Sequence, residues 1–434
     1  MDRRSFLKSA TAGAAGPLLL SGQKKASPNE KFVVAAMGLR ARGRAVLGLF
    51  ASIPEVEIAA LCDVDANQFP AALEIIAKHQ RKAPRTETDF RRVIEDKTID
   101  ILLVTTPDHW HAIPAILACQ NGKHVYVEKP ISHNLAEGQA MVRAARRYRR
   151  VVQVGVQSRS SRHVAEACEH IRTGGIGRVF FARGWESSRQ NSVGRPADEN
   201  PPPGVDYDLW LGPAPLRPFN RNRFHGTWRW FFDYGTGDLG NDGVHRIDYA
   251  RRGLEAGFAF AGKSLPEWPE SVVASGGKHF FDDAQEWPDN LVATWEYPGA
   301  LLTYEMRVWS KPVFEGEKEG AAIYGEDGTV IIGNESWRAL DAKGQVIRRG
   351  EQSIAEYDDA HNRNFLQCIR DNSTPAGDIG LGHVMSGMIH MGNISWRVKR
   401  KLRFDAERQA FSGDAEANAL ISREYREPWV LPRV

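Results

Sequence analysis

The stretch GKHVYVEKP, residues 122–130, decides how the first part of the chain should fold. Its apolar middle alternates in the rhythm of a β-strand, and Pro130 ends that strand because proline has no amide hydrogen for the ladder. Glu128 and Lys129 therefore stand at the carboxyl end of an apolar strand, where open α/β sheets bind their ligands. A Glu-Lys pair alone is equally typical of a solvated strand end, so the flanking sequence has to decide.

Upstream of this stretch, apolar strands alternate with helical segments. The strands are continuous apolar runs, which is typical of a parallel sheet covered by helices on both faces. One more helix and one more strand follow Pro130. We therefore predict a Rossmann dinucleotide-binding domain of the α/β class over residues 31–155, with strands at 31–38, 56–63, 99–105, 124–127 and 151–157 and helices at 42–52, 66–80, 113–120 and 135–147.

Beyond residue 155 the pattern changes to paired strands joined by tight turns, which indicates an antiparallel sheet. Two helical segments then precede a tail that we predict to be irregular. An open sheet commonly becomes a subunit interface, so we expect a homo-oligomer. We predict a C-terminal α+β domain with an open, mainly antiparallel sheet over residues 156–434, from hairpins at 291–308, at 321–332 and around 342–344 and helices near 359–370 and 382–399.

Residues 1–30 are expected to be an export signal and linker rather than part of the fold. The run RRSFLK at 3–8, followed by an Ala/Gly-rich apolar segment, resembles a twin-arginine signal. The apolar segment is too short for a permanent membrane anchor. A disordered basic terminus is the alternative. The signal predicts a periplasmic or otherwise extracytoplasmic protein that folds, and takes up any cofactor, before export.

Composition excludes several classes of partner and site. The net charge of +3 over 434 residues gives no reason to expect a nucleic acid or a membrane surface as partner. The four cysteines lie far apart, without CxxC or Cys/His ligand spacing. Free buried thiols are therefore expected, with no disulfide framework and no metal site.

The turn after the first strand, Gly38 to Gly43, is a defective match to the dinucleotide fingerprint G-x-G-x-x-G. Arg40 replaces the second glycine, which normally lets backbone approach the pyrophosphate. The context still fits, because the turn opens a helix and Asp63 ends the next strand. An acidic residue there binds ribose hydroxyls and favours NAD over NADP. Arg40 and Arg42 are candidates for direct phosphate contact, and a Rossmann-like domain without cofactor is the alternative.

Taken together, these residues resemble the glucose–fructose oxidoreductase / inositol dehydrogenase / MocA (Gfo/Idh/MocA) family of sugar-type dehydrogenases, and in particular its exported, twin-arginine-signal members. The resemblance rests on the order and spacing of several motifs over nearly the whole chain after the signal. These motifs are TTPDHWH at 105–111, EKP at 128–130, QVG at 153–155, WRWFFDYG at 228–235 continuing to His245, HNRNF at 361–365 and YREPW at 425–429.

The resemblance implies a nicotinamide cofactor, Lys129 beside the reactive hydroxyl, and a catalytic histidine in a D-x-x-x-H motif. The matching residues are Asn241 and His245, so an amide replaces the commoner carboxylate. We predict a helix over 241–252 that puts Asn241, His245 and Asp248 on one face, where the amide could orient the imidazole. We expect Asn241→Asp to be tolerated or to raise the apparent pKa of the histidine. A structural role for His245 is the alternative. The predicted cofactor-binding residues are Gly38, Arg40, Arg42, Gly43, Asp63, Thr105, Thr106, Pro107, His111, Glu128 and Lys129.

The resulting functional prediction is an exported NAD(P)-dependent oxidoreductase acting on a CH–OH group of a sugar or polyol. One alternative is an NAD-dependent glycoside-cleaving enzyme that oxidises, eliminates and re-reduces; another is a sugar-binding protein without turnover. A histidine near neutrality suits removal of the hydroxyl proton, and a lysine ammonium can hold the substrate oxygen. Candidates for a sugar-stacking wall are Trp210, Phe224, Trp228, Trp230 and Tyr234, with Arg223, His225 and Asp233 as hydroxyl partners.

Overall fold

The structure of the protein, a computed structural model, describes residues 31–434. The predicted twin-arginine signal and its linker lie outside the described residues. Within the described part, no helix has both the length and the apolar character needed to cross a bilayer.

The first sheet has six parallel strands in the order β3-β2-β1-β4-β5-β6. Its strands are β1 Phe32–Met37, β2 Val56–Cys62, β3 Arg85–Glu87, β4 Ile101–Val104, β5 His124–Val127 and β6 Val152–Val154. The helices that alternate with them are α1 Ala41–Ala51, α2 Phe69–Ala77, α3 Phe90–Glu95, α4 Ala112–Gln120 and α5 Leu135–Arg147.

This sheet confirms the predicted Rossmann fold, because its strand order reverses between β1 and β4. The carboxyl ends of these two strands diverge at that point and open a crevice for a ligand. The residues of β4 are all buried, as expected for a central strand covered on both faces. The short edge strand β3 was missing from the prediction, since three partly exposed residues carry no apolar run.

The second sheet has ten strands in the order β14-β13-β12-β11-β7-β10-β9-β8-β15-β16. Every neighbouring pair is antiparallel except β7 with β10, which are parallel. Its strands are β7 Val179–Glu186, β8 Ser271–Gly277, β9 Asn290–Tyr297, β10 Ala300–Arg307, β11 Glu319–Gly325, β12 Gly328–Ile332, β13 Ser336–Asp341, β14 Val346–Glu351, β15 Leu402–Asp405 and β16 Ala410–Phe411. The accompanying helices are α6 Arg162–Arg172, α7 Tyr207–Leu211, α8 Val244–Phe260, α9 Ile354–Asp371, α10 Ile379–Val398 and α11 Ala415–Ala419.

The mainly antiparallel α+β architecture is therefore confirmed, with three predicted hairpins in place. The strands β7 and β8 were not predicted, and the tail predicted to be irregular contains β15, β16 and α11. These strands pair with segments distant along the chain or are very short. They lack the tight-turn signal that marks a hairpin.

Two late parts of the chain pack against the first sheet. Phe365 and Leu366 of α9 are buried with α1 and β1 in one apolar cluster. Trp429 of the tail joins the cluster on the other side, where its ring contacts Trp110 with centroids 4.8 Å apart. The helix α9 and the C-terminal tail thus return to the Rossmann core, and the two sheets are joined by more than their linker. The four cysteines form no disulfide, as expected.

Candidate active site

The candidate functional site is a cleft of about 410 Å³ at the carboxyl edge of the first sheet. One wall comes from the β1–α1 turn, the end of β2 and the loop after β4. The other wall comes from the region between α7 and α8. Of the residues predicted to bind the cofactor, Gly38, Arg40, Arg42, Asp63, Thr105, Thr106 and Pro107 line the cleft, whereas Gly43, His111, Glu128 and Lys129 lie outside its lining.

The β1–α1 turn explains why two glycines remain and one is replaced. Gly38 has φ +87°, and a Cβ there would stand 2.7 Å from the carbonyl oxygen of Thr105. A Cβ on Gly43 would stand 1.9 Å from the carbonyl oxygen of Gly38, so α1 could not close on the turn. Arg40 has φ −94°, an ordinary extended conformation that any residue adopts. The backbone of the turn therefore does not require glycine at position 40.

Neither arginine of this turn is free. The Arg40 guanidinium donates to the carbonyl oxygen of His225, at 2.5 Å, on the opposite wall. Arg42 donates to the Glu128 carboxylate at 2.8 Å and lies 3.7 Å from Asp358. Direct phosphate contact stays a prediction for both, and Arg42 would have to share its charge with carboxylates.

Glu128 of the EKP stretch is a buried anchor for Arg42. Burial alone would raise the pKa of Glu128, but the charges of Arg42 and Lys129 hold it below its usual value. A Cβ on Gly155 would stand 2.5 Å from the Glu128 carboxylate, so that glycine makes room for it. Glu128 therefore ties the end of β5 to α1.

Asp63 lies at the end of β2 and lines the cleft, as its predicted role requires. Its carboxylate accepts hydrogen bonds from the backbone N–H groups of Leu39 at 2.7 Å and Asp65 at 2.9 Å. Burial raises the pKa of Asp63 to about 6 in spite of those bonds. At pH 7 the group is mainly ionised, with acceptor capacity left on both oxygens.

The loop after β4 forms part of the cleft lining through residues 105–107. The Thr105 hydroxyl donates to the Gly38 carbonyl oxygen at 2.6 Å, while the Thr106 hydroxyl is buried without a partner in the described part of the chain. The buried His111 ring contacts the carbonyl oxygens of Pro130 at 2.7 Å and Thr106 at 2.8 Å. His111 thus holds two loops together rather than lining the cleft.

Lys129 reaches from the end of β5 to the segment before α8. Its ammonium donates to the carbonyl oxygen of Asn241 and lies 3.4 Å from the Asn241 side-chain oxygen. Asn241 belongs to a π-helical turn, Leu239–Gly243, so the predicted helix start at 241 is corrected to Val244. π-turns recur at functional sites. The contact between Lys129 and Asn241 therefore places the EKP stretch beside the predicted histidine motif.

His245 is half-buried on the first turn of α8, and its ring makes no hydrogen bond to any residue that the structure describes. Burial, followed by the positive charges of Lys129, Arg246 and Arg42, lowers its pKa well below the ordinary histidine value. The ring is therefore neutral at pH 7 and has a free lone pair, while the same burial and cations make it a weaker base than an ordinary histidine. Asp248 does not assist it, because that carboxylate pairs with the Arg159 guanidinium.

Of the five aromatic residues predicted to stack on a sugar, Trp210 and Trp228 line the cleft. Phe224, Trp230 and Tyr234 are instead buried in the apolar core of the second sheet. The predicted polar partners are also engaged: Arg223 pairs with Asp198 and Asp233 with Arg217, while His225 faces Asp65.

His225 belongs to a strap, residues 224–230, that crosses to the first sheet. Its ring lies 2.6 Å from the Asp65 carboxylate, and its carbonyl oxygen accepts from Arg40. The strap thus contacts the glycine turn at Arg40 and the segment after β2 at Asp65 while it lines the cleft. The sequence did not predict these two contacts, because His225 lies 160 residues from Asp65 and 185 residues from Arg40 along the chain.

Two parts of the chain match models of known families. Residues 32–156 match the oxidoreductase family GFO_IDH_MocA, NAD-binding Rossmann fold. Residues 185–255 and 291–431 match its C-terminal alpha/beta domain. The chain belongs to the Gfo/Idh/MocA oxidoreductase family. This confirms the family resemblance read from the motifs, and membership of the exported, twin-arginine-signal subgroup stays a prediction.

Curated relatives include a levoglucosan dehydrogenase of Pseudarthrobacter phenanthrenivorans, 31% identical over 191 residues, which is 44% of this chain and 42% of that protein. An alpha-N-acetylgalactosaminidase of Shewanella oneidensis is 30% identical over 171 residues, 34% of this chain and 37% of that protein. These matches span less than half the length of either relative. A solved levoglucosan dehydrogenase in complex with NADH and levoglucosan has a TM-score of 0.65 at 18% identity, over 86% of this chain and 99% of that chain, and shares its fold.

The residues of this Gfo/Idh/MocA chain fit the nicotinamide cofactor of the family. The N-terminus of α1 carries no side-chain cap, so its amide groups and positive dipole end are available to a pyrophosphate. The unpartnered Thr106 hydroxyl offers a further hydrogen bond inside the cleft. Asp63 stands at the ribose end and would repel a 2′-phosphate. The residues that line the cleft therefore favour NAD over NADP.

Proposed function

We propose that this protein is an NAD-dependent oxidoreductase that acts on a hydroxyl group of a sugar or a sugar-like polyol. The observation that carries the proposal is the contact of Lys129 with Asn241, four residues before His245, which brings the Lys129 charge near enough to lower the pKa of His245. Neither side chain lines the cleft, but Asn241 does, so the pair lies beside it. An ammonium and a neutral imidazole are the two groups that alcohol oxidation needs.

Each residue has a distinct task. Lys129 donates a hydrogen bond to the substrate oxygen, and the charge of the ammonium stabilises negative charge that develops on that oxygen. His245, which is neutral at pH 7, takes the hydroxyl proton. The bound nicotinamide supplies the acceptor for the hydride that leaves the same carbon. Trp228, which is half-buried and lines the cleft, offers an apolar face to the sugar ring, whereas Trp210 is buried in the core.

The proposal is tested by incubating the purified protein with a panel of monosaccharides, anhydrosugars, glycosides and cyclitols. Appearance of the near-ultraviolet absorbance of reduced nicotinamide with one of them supports oxidation. Tight sugar binding without any redox change or product would instead establish the non-catalytic sugar-binding alternative.

A second candidate function is glycoside cleavage through transient oxidation, elimination and re-reduction. It is favoured by the similarity to a protein named alpha-N-acetylgalactosaminidase. Both functions begin with the same proton and hydride removal, so the same residues serve them. Product analysis separates them, because only cleavage releases a free aglycone with no net change in the cofactor.

We also propose export by the twin-arginine route and assembly into a homo-oligomer through the second sheet. The run of residues 3–8 supports export. Exposed apolar side chains on the second sheet, such as Phe180 at 52% and Val292 at 49% exposure, support a covered face. Fractionation of cells and light scattering of the purified protein test the two statements separately.

The first prediction concerns the cofactor itself. Free NAD is scarce outside the cytoplasm, so an exported enzyme of this kind has to keep its cofactor and return it to the starting oxidation state each cycle. We expect nicotinamide, mainly NAD rather than NADP, to co-purify and to survive extensive dialysis. Denaturing the dialysed protein and assaying the supernatant checks this. A cofactor-free protein that works only with added NAD would contradict the closed cycle.

The second prediction concerns the strap. Replacing His225 with alanine removes its hydrogen bond to Asp65, and a hydrogen bond to a charged group contributes about 1.5–3 kcal/mol. Release of bound NAD should therefore become roughly tenfold faster or more. The measurement is the loss of nicotinamide during timed gel filtration.

The matched control for the strap is Arg221→Ala. Arg221 stands just before the strap, is exposed and pairs with Glu199, so its loss leaves the contact of the strap with Asp65 intact. Equal retention in the two variants and the wild type would rule out this contact as a determinant of retention.

A further inference from the structure

The Asn241 amide is fixed between one ammonium and two carboxylates. Its nitrogen donates to Asp238 at 3.1 Å and to Asp242 at 3.0 Å. Its oxygen faces Lys129 at 3.4 Å, and the backbone carbonyl oxygen of the same residue accepts from that ammonium. The amide cannot flip without facing its nitrogen to Lys129 and its oxygen to the carboxylates. Its orientation is therefore set by charge on both sides.

The two carboxylates belong to a buried carboxyl cluster, which we define as Glu186, Asp238 and Asp242. One oxygen from each lies within 4.8 Å of the others. Glu186 is 0% and Asp238 1% exposed. One oxygen of each of these two buried side chains has no hydrogen-bond donor among the described residues. Two close carboxyl groups satisfy such oxygens when they share a proton.

The charges around the cluster agree with a shared proton. Burial and the charges of Asp238 and Asp242 raise the pKa of Glu186 well above its usual value, and burial with Asp242 raises that of Asp238 to about 6. The Tyr304 hydroxyl donates to Glu186 at 3.3 Å. The cations that face the cluster are Lys129, held by Asn241, and two arginines with partners of their own, Arg229 and Arg246.

This arrangement determines which residue type can occupy position 241. An aspartate there would lose both N–H donors and would place a further negative charge against Asp238 and Asp242. We therefore expect Asn241→Asp to disrupt this site, in contrast to the prediction from the family pattern that the substitution is tolerated.

We propose that Glu186, Asp238 and Asp242 are positioning residues that orient the Asn241 amide and, through it, the ammonium of Lys129. The inference rests on the proposed function for the role of Lys129, which it deepens. It explains why an amide stands where the family commonly has a carboxylate. Lys129 remains the group that touches substrate.

The test exchanges the carboxylate of Asp238 and the amide of Asn241, which are joined by one hydrogen bond. In Asn241→Asp the ammonium is drawn to the new carboxylate, so kcat should fall roughly tenfold to a hundredfold, with KM and the bound nicotinamide little changed. The Tm should also fall, because like charges are added to a buried site. In the double variant Asp238→Asn, Asn241→Asp the net charge is that of the wild type and the added repulsion is relieved, so most of the Tm loss should be recovered. The kcat should stay low, because the carboxylate that draws the ammonium remains at position 241.

Asp238 is the better partner for this exchange, because Asp242 is half-buried and can turn toward water. The control for loss of a carboxylate alone is Asp282→Asn, an exposed residue that pairs with Arg195. Wild-type kcat and Tm in Asn241→Asp, or a double variant whose Tm is no higher than that of the single one, would overturn the inference.

A divalent cation bound by the three carboxylates is the competing arrangement. Elemental analysis of the purified protein should find none at the level of one per chain, and one equivalent would overturn the shared proton. The Tm comparison needs no substrate. A wild type without sugar turnover therefore counts against the proposed function alone, while the Tm comparison still decides the cluster.

Discussion

Lys129→Ala is expected to lower kcat by about a hundredfold to a thousandfold, the usual effect of removing one positioned donor from a developing oxyanion. The lysine is the one side chain that joins the end of β5 to Asn241 within the described residues. Its ammonium keeps one further hydrogen for the substrate oxygen. The measurement is the rate of nicotinamide reduction in a single turnover with saturating substrate, which separates chemistry from binding.

Two further variants make the result specific to the ammonium. Lys129→Met keeps the aliphatic stem and removes only the charge and donors, and should be as slow as the alanine variant. Lys97→Ala removes an exposed lysine that bonds Asn121 on the outside of the first domain, and should behave as the wild type. A near-normal rate in Lys129→Met, with cofactor content unchanged, would refute the assignment.

His245→Ala is expected to lower kcat at neutral pH by roughly a hundredfold or more, as for loss of a general base. The larger signature is in the pH profile. The pKa of His245 is depressed by burial and by neighbouring cations, so the ring is neutral at pH 7 and becomes protonated only in more acidic solution. The wild-type rate should therefore hold at neutral pH and fall as the pH drops through this depressed pKa.

Removal of His245 should abolish that acid limb and leave a slow, flatter profile. His79→Ala is the matched control, because His79 is exposed at the end of α2. An unchanged profile in the His245 variant would leave this histidine with only a structural role.

Much of the fold was accessible from the sequence because its signals are local. The buried strands β1, β2, β4 and β5 are continuous apolar runs, and each precedes a helical run. Tight turns mark the hairpins of the second sheet. These patterns depend on residues a few positions apart, which is the range over which strand alternation and turn chemistry act.

Only those residues of the candidate site that belong to a sequence motif could be predicted. The glycine turn, Asp63, the EKP stretch and His245 each follow a strand or open a helix. Their positions at the edge of the sheet therefore follow from topology. What Arg42, His111 and Asn241 contact was not predictable. Their partners are other polar groups brought near by packing, and the sequence offers many equivalent candidates.

The sequence by itself determined the two-sheet architecture, the family and the place of the cofactor cleft, because periodicity and motif order are properties of the chain. Only the tertiary structure decided the charge environment. It placed Asn241 between Lys129 and the buried carboxyl cluster, and His225 across the cleft on Asp65. Electrostatic energy depends on distance and burial in space, and both are set by contacts between residues far apart in the chain, such as Arg40 and His225, which are 185 positions apart.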